Sequence, residues 1–235
     1  MNQPSFSNPE SSGLSAGLKY GLLASAIVIV VLAIIICTIL FLKVKRIKSD
    51  LLAKEKQEAK RIILETRGEE FGFLPDELRP YLVPKIKDED LEHIVNTTYV
   101  NYAESALLIG SNVEFEYASL NHCGYGETAW LPEKIDKENW NRAVLDFPEF
   151  FKKPPKILKE EVGEYNLIIV ANATQANLYY YKNYYQNLRP NGMLIIIQNS
   201  TSLKTLKELT ALLKTENIRY EVSPVKSKFL YIVKS

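Results

Sequence analysis

Two hydrophobic patterns divide this chain. Over residues 21–42 (GLLASAIVIVVLAIIICTILFL) the side chains are apolar or small and none is charged, whereas beyond residue 70 short apolar runs alternate with amphipathic, turn-bounded segments. The first pattern predicts a helix of about 33 Å at ~1.5 Å per residue, enough for a hydrocarbon core of ~30 Å. A cleaved signal peptide fits less well: the run exceeds an h-region, no A-x-A site follows it, and the basic residues come mainly after it. A lipoprotein site at Cys37 is disfavoured by a bulky Ile where a small residue is needed. Residues 44–67 follow as a charged helical stalk, with Arg61 and Glu65 at i,i+4 and only an intermittent apolar seam of Leu51, Ala59 and Ile62. That seam reads as a solvated spacer before it reads as a coiled coil. Gly68, Gly72 and Pro75 end the stalk.

The second pattern predicts alternating strands and helices. Short buried strands are expected at 106–109, 128–131, 143–147, 167–170 and 193–197. Helices are expected at 87–103, with Asp88 as N-cap, at 114–122, over a turn at 137–142, at 176–188 and at 203–214. Arg189-Pro190-Asn191-Gly192 supplies turn chemistry, because Pro190 cannot continue a helix and Asn191-Gly192 tolerates positive φ. Two buried strands joined by a helix make a right-handed parallel βαβ unit, and ligands bind beyond the carboxyl ends of such strands. Residues 171–174 and 198–200 therefore face any site. Strands at 219–223 and 229–233 are joined too tightly for a parallel crossover, so the last strand is expected to be antiparallel. The fold class read from this pattern is α/β: a Rossmann-like, doubly wound, mostly parallel seven-stranded sheet with an antiparallel last strand. The expected division is a tail over 1–20, a membrane helix over 21–42, a stalk over 43–70 and one domain over 71–235.

Charge refines this picture. The formal net charge is +1, which leaves no whole-molecule footprint for nucleic acid. Two cysteines, Cys37 and Cys123, give neither a disulfide framework nor a metal-ligand spacing. Lys43, Lys45, Arg46 and Lys48 follow the apolar run, against Lys19 before it, so the positive-inside rule places the C-terminal domain in the cytoplasm and the N-terminus outside. The same basic cluster suits anionic lipid headgroups. Gly13, Gly17, Gly21 and Ser25 form a small-residue stripe that can pair helices into a homodimer, although small residues are common in membrane segments.

There is no GxSxG elbow, Walker loop or HExxH motif. His93 and His122 fall in separate predicted helices, and His122 beside Cys123 reads as structural before it reads as catalytic. Tyr179, Tyr180, Tyr181, Tyr184 and Tyr185 read as packing against the sheet before they read as a stacking platform for a ligand.

Within the central stretch, YNLIIVANATQANLYYYKNYYQNLRPNGMLIIIQN runs without a gap from Tyr165 through Arg189-Pro190 against the pattern YDLIFIDADKENYxxYYExxxxLLRPGGLLVIDN, and LLIGSNVEFEYASLN is similar to LEIGTxxGYSALxLA. These patterns belong to the class I S-adenosylmethionine-dependent methyltransferases, in particular the metal-dependent O-methyltransferases of the catechol and caffeoyl-CoA type, which the chain resembles over about 102–234. The resemblance implies S-adenosylmethionine as cofactor, held by Gly110, Ser111, Asn112, Glu133 and Asp146. Glu133 would meet the ribose and Asp146 the adenine; each also reads as a surface carboxylate. Asn172 and Asn199 would orient the methyl acceptor. The departures are specific. The acid of the first strand is Leu108, later glycines fall on Asn112 and Glu114, and the family's metal-binding acids fall on Ala171, Ala173 and Ile197-Gln198 or Gln198-Asn199. Hard divalent cations need several carboxylate oxygens, so no metal is expected. Two functions are compatible with these residues: a membrane-anchored, metal-independent methyltransferase, or a catalytically inactive relative serving as a membrane-tethered binding or scaffold module. The methyl acceptor is open, and a membrane-associated one suits the anchor.

Overall fold

In the computed structural model, the structure describes residues 16–68, 71–151, 153–160 and 163–234. It divides into two compact units, Met1–Glu58 and Ala59–Ser235. The described residues of the first belong to one long helix, α1 (Ala16–Arg67). Side chains of α1 are described from residue 36 onward, except 48, 49, 52 and 56. Among the described residues no helix is long and apolar enough to cross a membrane. Most of the expected spanning stretch (21–35) and all of the small-residue stripe lie outside the described side chains. Gly68, with φ +54°, takes the left-handed conformation that ends α1.

The second unit is a seven-stranded sheet between two helical layers. Its strands are β1 (Ser105–Ser111), β2 (Glu127–Lys134), β3 (Lys156–Ile157), β4 (Tyr165–Ala171), β5 (Leu188–Gln198), β6 (Tyr220–Pro224) and β7 (Lys228–Val233). Their spatial order is β3-β2-β1-β4-β5-β7-β6. Neighbours pair in parallel except at β7, which runs antiparallel to both β5 and β6, as the short connection requires. Alternation along β1 separates the two cores. Ala106 and Leu108 face α2 (Asp88–Val100), α3 (Glu114–Cys123) and α4 (Lys137–Asp146), whereas Leu107 and Ile109 face α5 (Asn177–Tyr184) and α6 (Ser202–Thr215). Of the tyrosine run, Tyr180, Tyr181 and Tyr184 are buried in the second core and Tyr185 packs against it, whereas Tyr179 is exposed, so sheet packing accounts for four of the five.

Three sequence expectations are corrected. Residues 143–147 belong to the end of α4, not to a strand. Asp136 caps that helix by accepting from the Asn139 amide at 3.1 Å, and Trp140 and Ala143 bury one face at helical spacing. The third strand is instead the two-residue β3, both of whose residues are exposed. The 189–192 segment lies inside β5, where Asn191 (φ +62°) makes the expected left-handed turn of the backbone without ending the strand. Lys87, not Asp88, occupies the N-cap of α2, and the Asp88 carboxylate pairs with Arg79 at 2.8 Å.

The end of α1 is fixed within the second unit by Arg67. Its guanidinium is buried and bonds Glu92 at 2.5 Å and Asn96 at 2.7 Å on α2.

Candidate functional site

The sheet changes winding direction at β1, whose connections run to β2 on one side and whose other neighbour is β4. At such a switch point the loops beyond the carboxyl ends part and leave a crevice. Gly110 stands opposite Ala171 in the β1–β4 register. A Cβ at Gly110 would lie 2.0 Å from the Ala171 carbonyl oxygen, so close approach of the two strands requires this glycine. The loops that follow both strands turn through asparagine: Asn112 at φ +53° and Asn172 at φ +49°. Asparagine is the residue other than glycine that best tolerates this region. The two loops are tied together, since Asn172 Nδ2 donates to the Ser111 carbonyl at 2.7 Å, while the Asn112 amide donates to the Lys134 carbonyl at 2.9 Å.

Two cavities open at this end of the sheet. One, of about 570 Å³, lies between the loops after β1 and β2, with Asn112, Glu114, Lys134, Asp136 and Asn139 among its walls. The other, of about 260 Å³, lies beyond β4 and β5 against Asn172, Gln198 and Asn199. The segment 81–87 borders both, and Lys85 lines each of them. A buried carboxyl holds that segment: Glu116 Oε1 accepts from the Lys85 and Ile86 amides at 2.5 and 2.9 Å. Burial raises the Glu116 pKa to about 7 against the pull of those amides, and the neighbouring Glu114 adds to the rise.

The predicted site residues separate into two groups. Gly110, Ser111, Asn112, Asn172 and Asn199 come to the carboxyl end of the sheet, where Asn112 lines the larger cavity, Asn172 and Asn199 line the smaller, and Gly110 and Ser111 are buried and line neither. Glu133 and Asp146 do not line the large cavity. Glu133 projects toward the β4 loop, where Oε1 accepts from Tyr180 at 2.6 Å and Oε2 from Thr174 at 2.7 Å. Buried and bonded to this carboxylate, the Tyr180 phenol is pushed up to about 12. Asp146, expected at a strand end beside the adenine, ends α4 instead and accepts from the Tyr81 hydroxyl at 2.7 Å. The carboxylates that do line the cavity are Glu114 and Asp136. Glu114 Oε1 accepts from the Asp136 amide at 2.6 Å. The sequence places a helical turn at 137–142, directly after Asp136, but does not show that its cap residue faces a cavity.

Asn199 is largely occupied with the backbone. Its Nδ2 donates to the Ala173 carbonyl at 2.8 Å, and its Oδ1 accepts from the Thr201 and Ser202 amides at 2.9 and 3.0 Å. Gln198 exchanges hydrogen bonds with the buried Asn177 amide at 3.0 and 3.1 Å. The set at the expected metal position is thus Ala171, Ala173 and amides already bonded within the protein. It does not fit a hard divalent cation, which takes carboxylate and water oxygens. Among the described residues no three His, Cys, Asp or Glu side chains gather for a metal.

The sequence matches no protein-family model and no curated protein. Solved structures are similar in fold. A "putative caffeoyl-CoA O-methyltransferase" from Staphylococcus aureus aligns with a TM-score of 0.54 at 12% identity, over 76% of this chain and 100% of that one. A "putative O-methyltransferase" from Klebsiella pneumoniae aligns at 0.50 and 12%, over 68% and 89%. A Corynebacterium glutamicum protein aligns at 0.50 and 13%, over 77% and 97%. With the strand order, these likenesses give the sheet and its helices the class I methyltransferase fold.

Proposed function

We propose that the chain is a metal-independent, S-adenosylmethionine-dependent methyltransferase tethered to a membrane by the start of α1. The observation that carries this reading is the cavity of about 570 Å³ beyond β1 and β2. It lies in the crevice where open α/β sheets receive ligands, and its volume falls within the range of small-molecule sites. Gly110, Ser111 and Asn112 would lie along the cofactor, and Asp136 and Glu114 supply carboxylates for its ribose hydroxyls in place of Glu133 and Asp146. S-Adenosylmethionine contributes an electrophilic methyl. The protein's part is to align an acceptor in line with that methyl, which needs no nucleophilic side chain. The membrane tether rests on the uncharged run of residues 21–42 and the basic residues after it. A C-terminal domain in the cytoplasm and an acceptor near the membrane follow from the same reading. Homodimerisation through the small-residue stripe is a weaker part of it.

Glu114 favours a second reading. Its side chain stands where the related pattern has a glycine and borders the cavity wall, where it obstructs close approach of the backbone to a cofactor; that suits a catalytically inactive, membrane-tethered binding or scaffold module. Calorimetric titration of the full-length chain in detergent with S-adenosylmethionine and S-adenosylhomocysteine tests the cofactor. Micromolar binding is expected, weakened about tenfold by Asp136→Ala through loss of a charged hydrogen-bond acceptor and abolished by Asn112→Trp. No heat at millimolar ligand from folded protein would sink the enzyme reading and leave the second. Binding without transfer to any acceptor would leave the second.

A further inference from the structure

The smaller cavity narrows the chemistry of the methyl acceptor. Its polar walls are Lys85, Lys87, Asn172, Gln198, Asn199 and Ser227, so the charged side chains lining it are two lysines. The neighbouring ion pairs, Arg79 with Asp88 and Lys226 with Glu89, include neither of them, although Lys87 also acts on the exposed Glu89, and the Asp90 carboxylate is buried behind the wall on the Ser227 amide. The amide groups are committed to Ser111, Asn177 and Ala173. No carboxylate, imidazole or phenol lines the cavity. The nearby Glu116 has its Oε1 engaged by two backbone amides and lies outside the lining. A bound acceptor would thus meet positive charge and find no general base.

That combination discriminates between acceptors. A phenol, with a pKa of ~10, or an alcohol must lose a proton as its oxygen attacks, and a base or metal ordinarily takes it. An amine arrives protonated and is repelled by the lysines. A carboxylic acid is ionised at neutral pH and attacks with a lone pair it already carries. We propose that the acceptor is a small carboxylate and the product its methyl ester, an inference that rests on the methyltransferase reading above. A carboxylate oxygen lone pair forms the O–CH₃ bond as the S–CH₃ bond breaks and its electron pair returns to sulfur. The sulfonium becomes a neutral thioether, the carboxylate becomes a neutral ester, and no proton moves. Because the negative charge disappears along this path, the lysines hold the acceptor more strongly before reaction than during it. They act on binding rather than on turnover.

The full-length chain in detergent is first titrated with S-adenosylmethionine. It is then incubated with the methyl-tritiated cofactor and either benzoate, phenylacetate or hexanoate, or catechol or benzyl alcohol. The expected result is cofactor binding and label transferred to a carboxylate, released as methanol by mild base, with none on the hydroxyl compounds. Lys87→Gln is expected to raise KM for the carboxylate about fivefold or more, without lowering kcat and with cofactor affinity retained. Cofactor binding with no base-labile label on the three carboxylates, or label on catechol or benzyl alcohol, overturns the acceptor class alone. An unchanged KM in Lys87→Gln overturns the role of the lysines and the charge argument with it. Failure to bind the cofactor overturns the methyltransferase reading, and the carboxylate proposal falls with it.

Discussion

Asn172 joins a backbone requirement to a cross-link in one residue. Its φ of +49° is costly for most side chains, and its amide bridges to the β1 loop at Ser111. Asn172→Gly keeps the backbone conformation and loses the bridge, whereas Asn172→Ala loses both. Thermal or urea unfolding should rank alanine as the more destabilising, by about 1–2 kcal/mol beyond glycine; equal losses would assign the cost to the bridge alone. Glu116 supplies a pH dependence. Its folded pKa, about 7, lies above its ordinary value of 4.5, so between those values the folded state holds a proton that the unfolded state has released. Stability therefore falls as pH rises through this window. Glu116→Gln still accepts from the Lys85 and Ile86 amides but buries no charge. At pH 8 it should be more stable than the parent by about 1–3 kcal/mol, with the advantage gone near pH 4.5. A gain of equal size at both pH values would contradict the assignment. Gly110 was legible at a strand end, whereas the left-handed backbone at Asn112 and Asn172 was not. Nor were their partners, because a hydrogen bond between loops 61 positions apart leaves no local pattern.

At the scale of elements, short unbroken apolar runs and turn residues located six of the seven strands, since a strand buried on both faces must be apolar throughout. The exception was β3. Two exposed residues at a sheet edge carry no hydrophobic signature, while the apolar AVLDF run satisfied a helix instead. Cap chemistry decided that helix. Asp136→Ala should lower stability by about 1 kcal/mol through loss of the α4 cap, measured as a shift in denaturation midpoint with the m-value unchanged. The joint between α1 and α2 is a second device at this scale. Arg67→Met would leave Glu92 without its charged partner while the Gly72 amide and Asn96 still donate to it, and a loss of about 1–3 kcal/mol is expected, with faster amide exchange in α2. A change below ~1 kcal/mol would mean that water satisfies Glu92.

For the whole molecule, the apolar run and the basic residues after it make a prediction that fractionation can test. In cells, the full chain should resist carbonate extraction from membranes and pellet with them, and a chain beginning at residue 44 should not; soluble full chain after carbonate would contradict the tether. The sequence by itself determined which segments are apolar, which residues can turn and where the basic cluster lies, because these depend on side-chain solvation and local backbone preference. It therefore determined the alternation of strands and helices and the antiparallel return of the last strand. The tertiary structure alone decided which carboxylates share the cavity. Glu133 and Asp136 are three positions apart, yet the pleat of β2 and the turn after it send Glu133 to Tyr180 and Thr174 and bring Asp136 to the large cavity. The direction of a side chain at a strand end depends on register and twist, which are set by packing across the whole sheet.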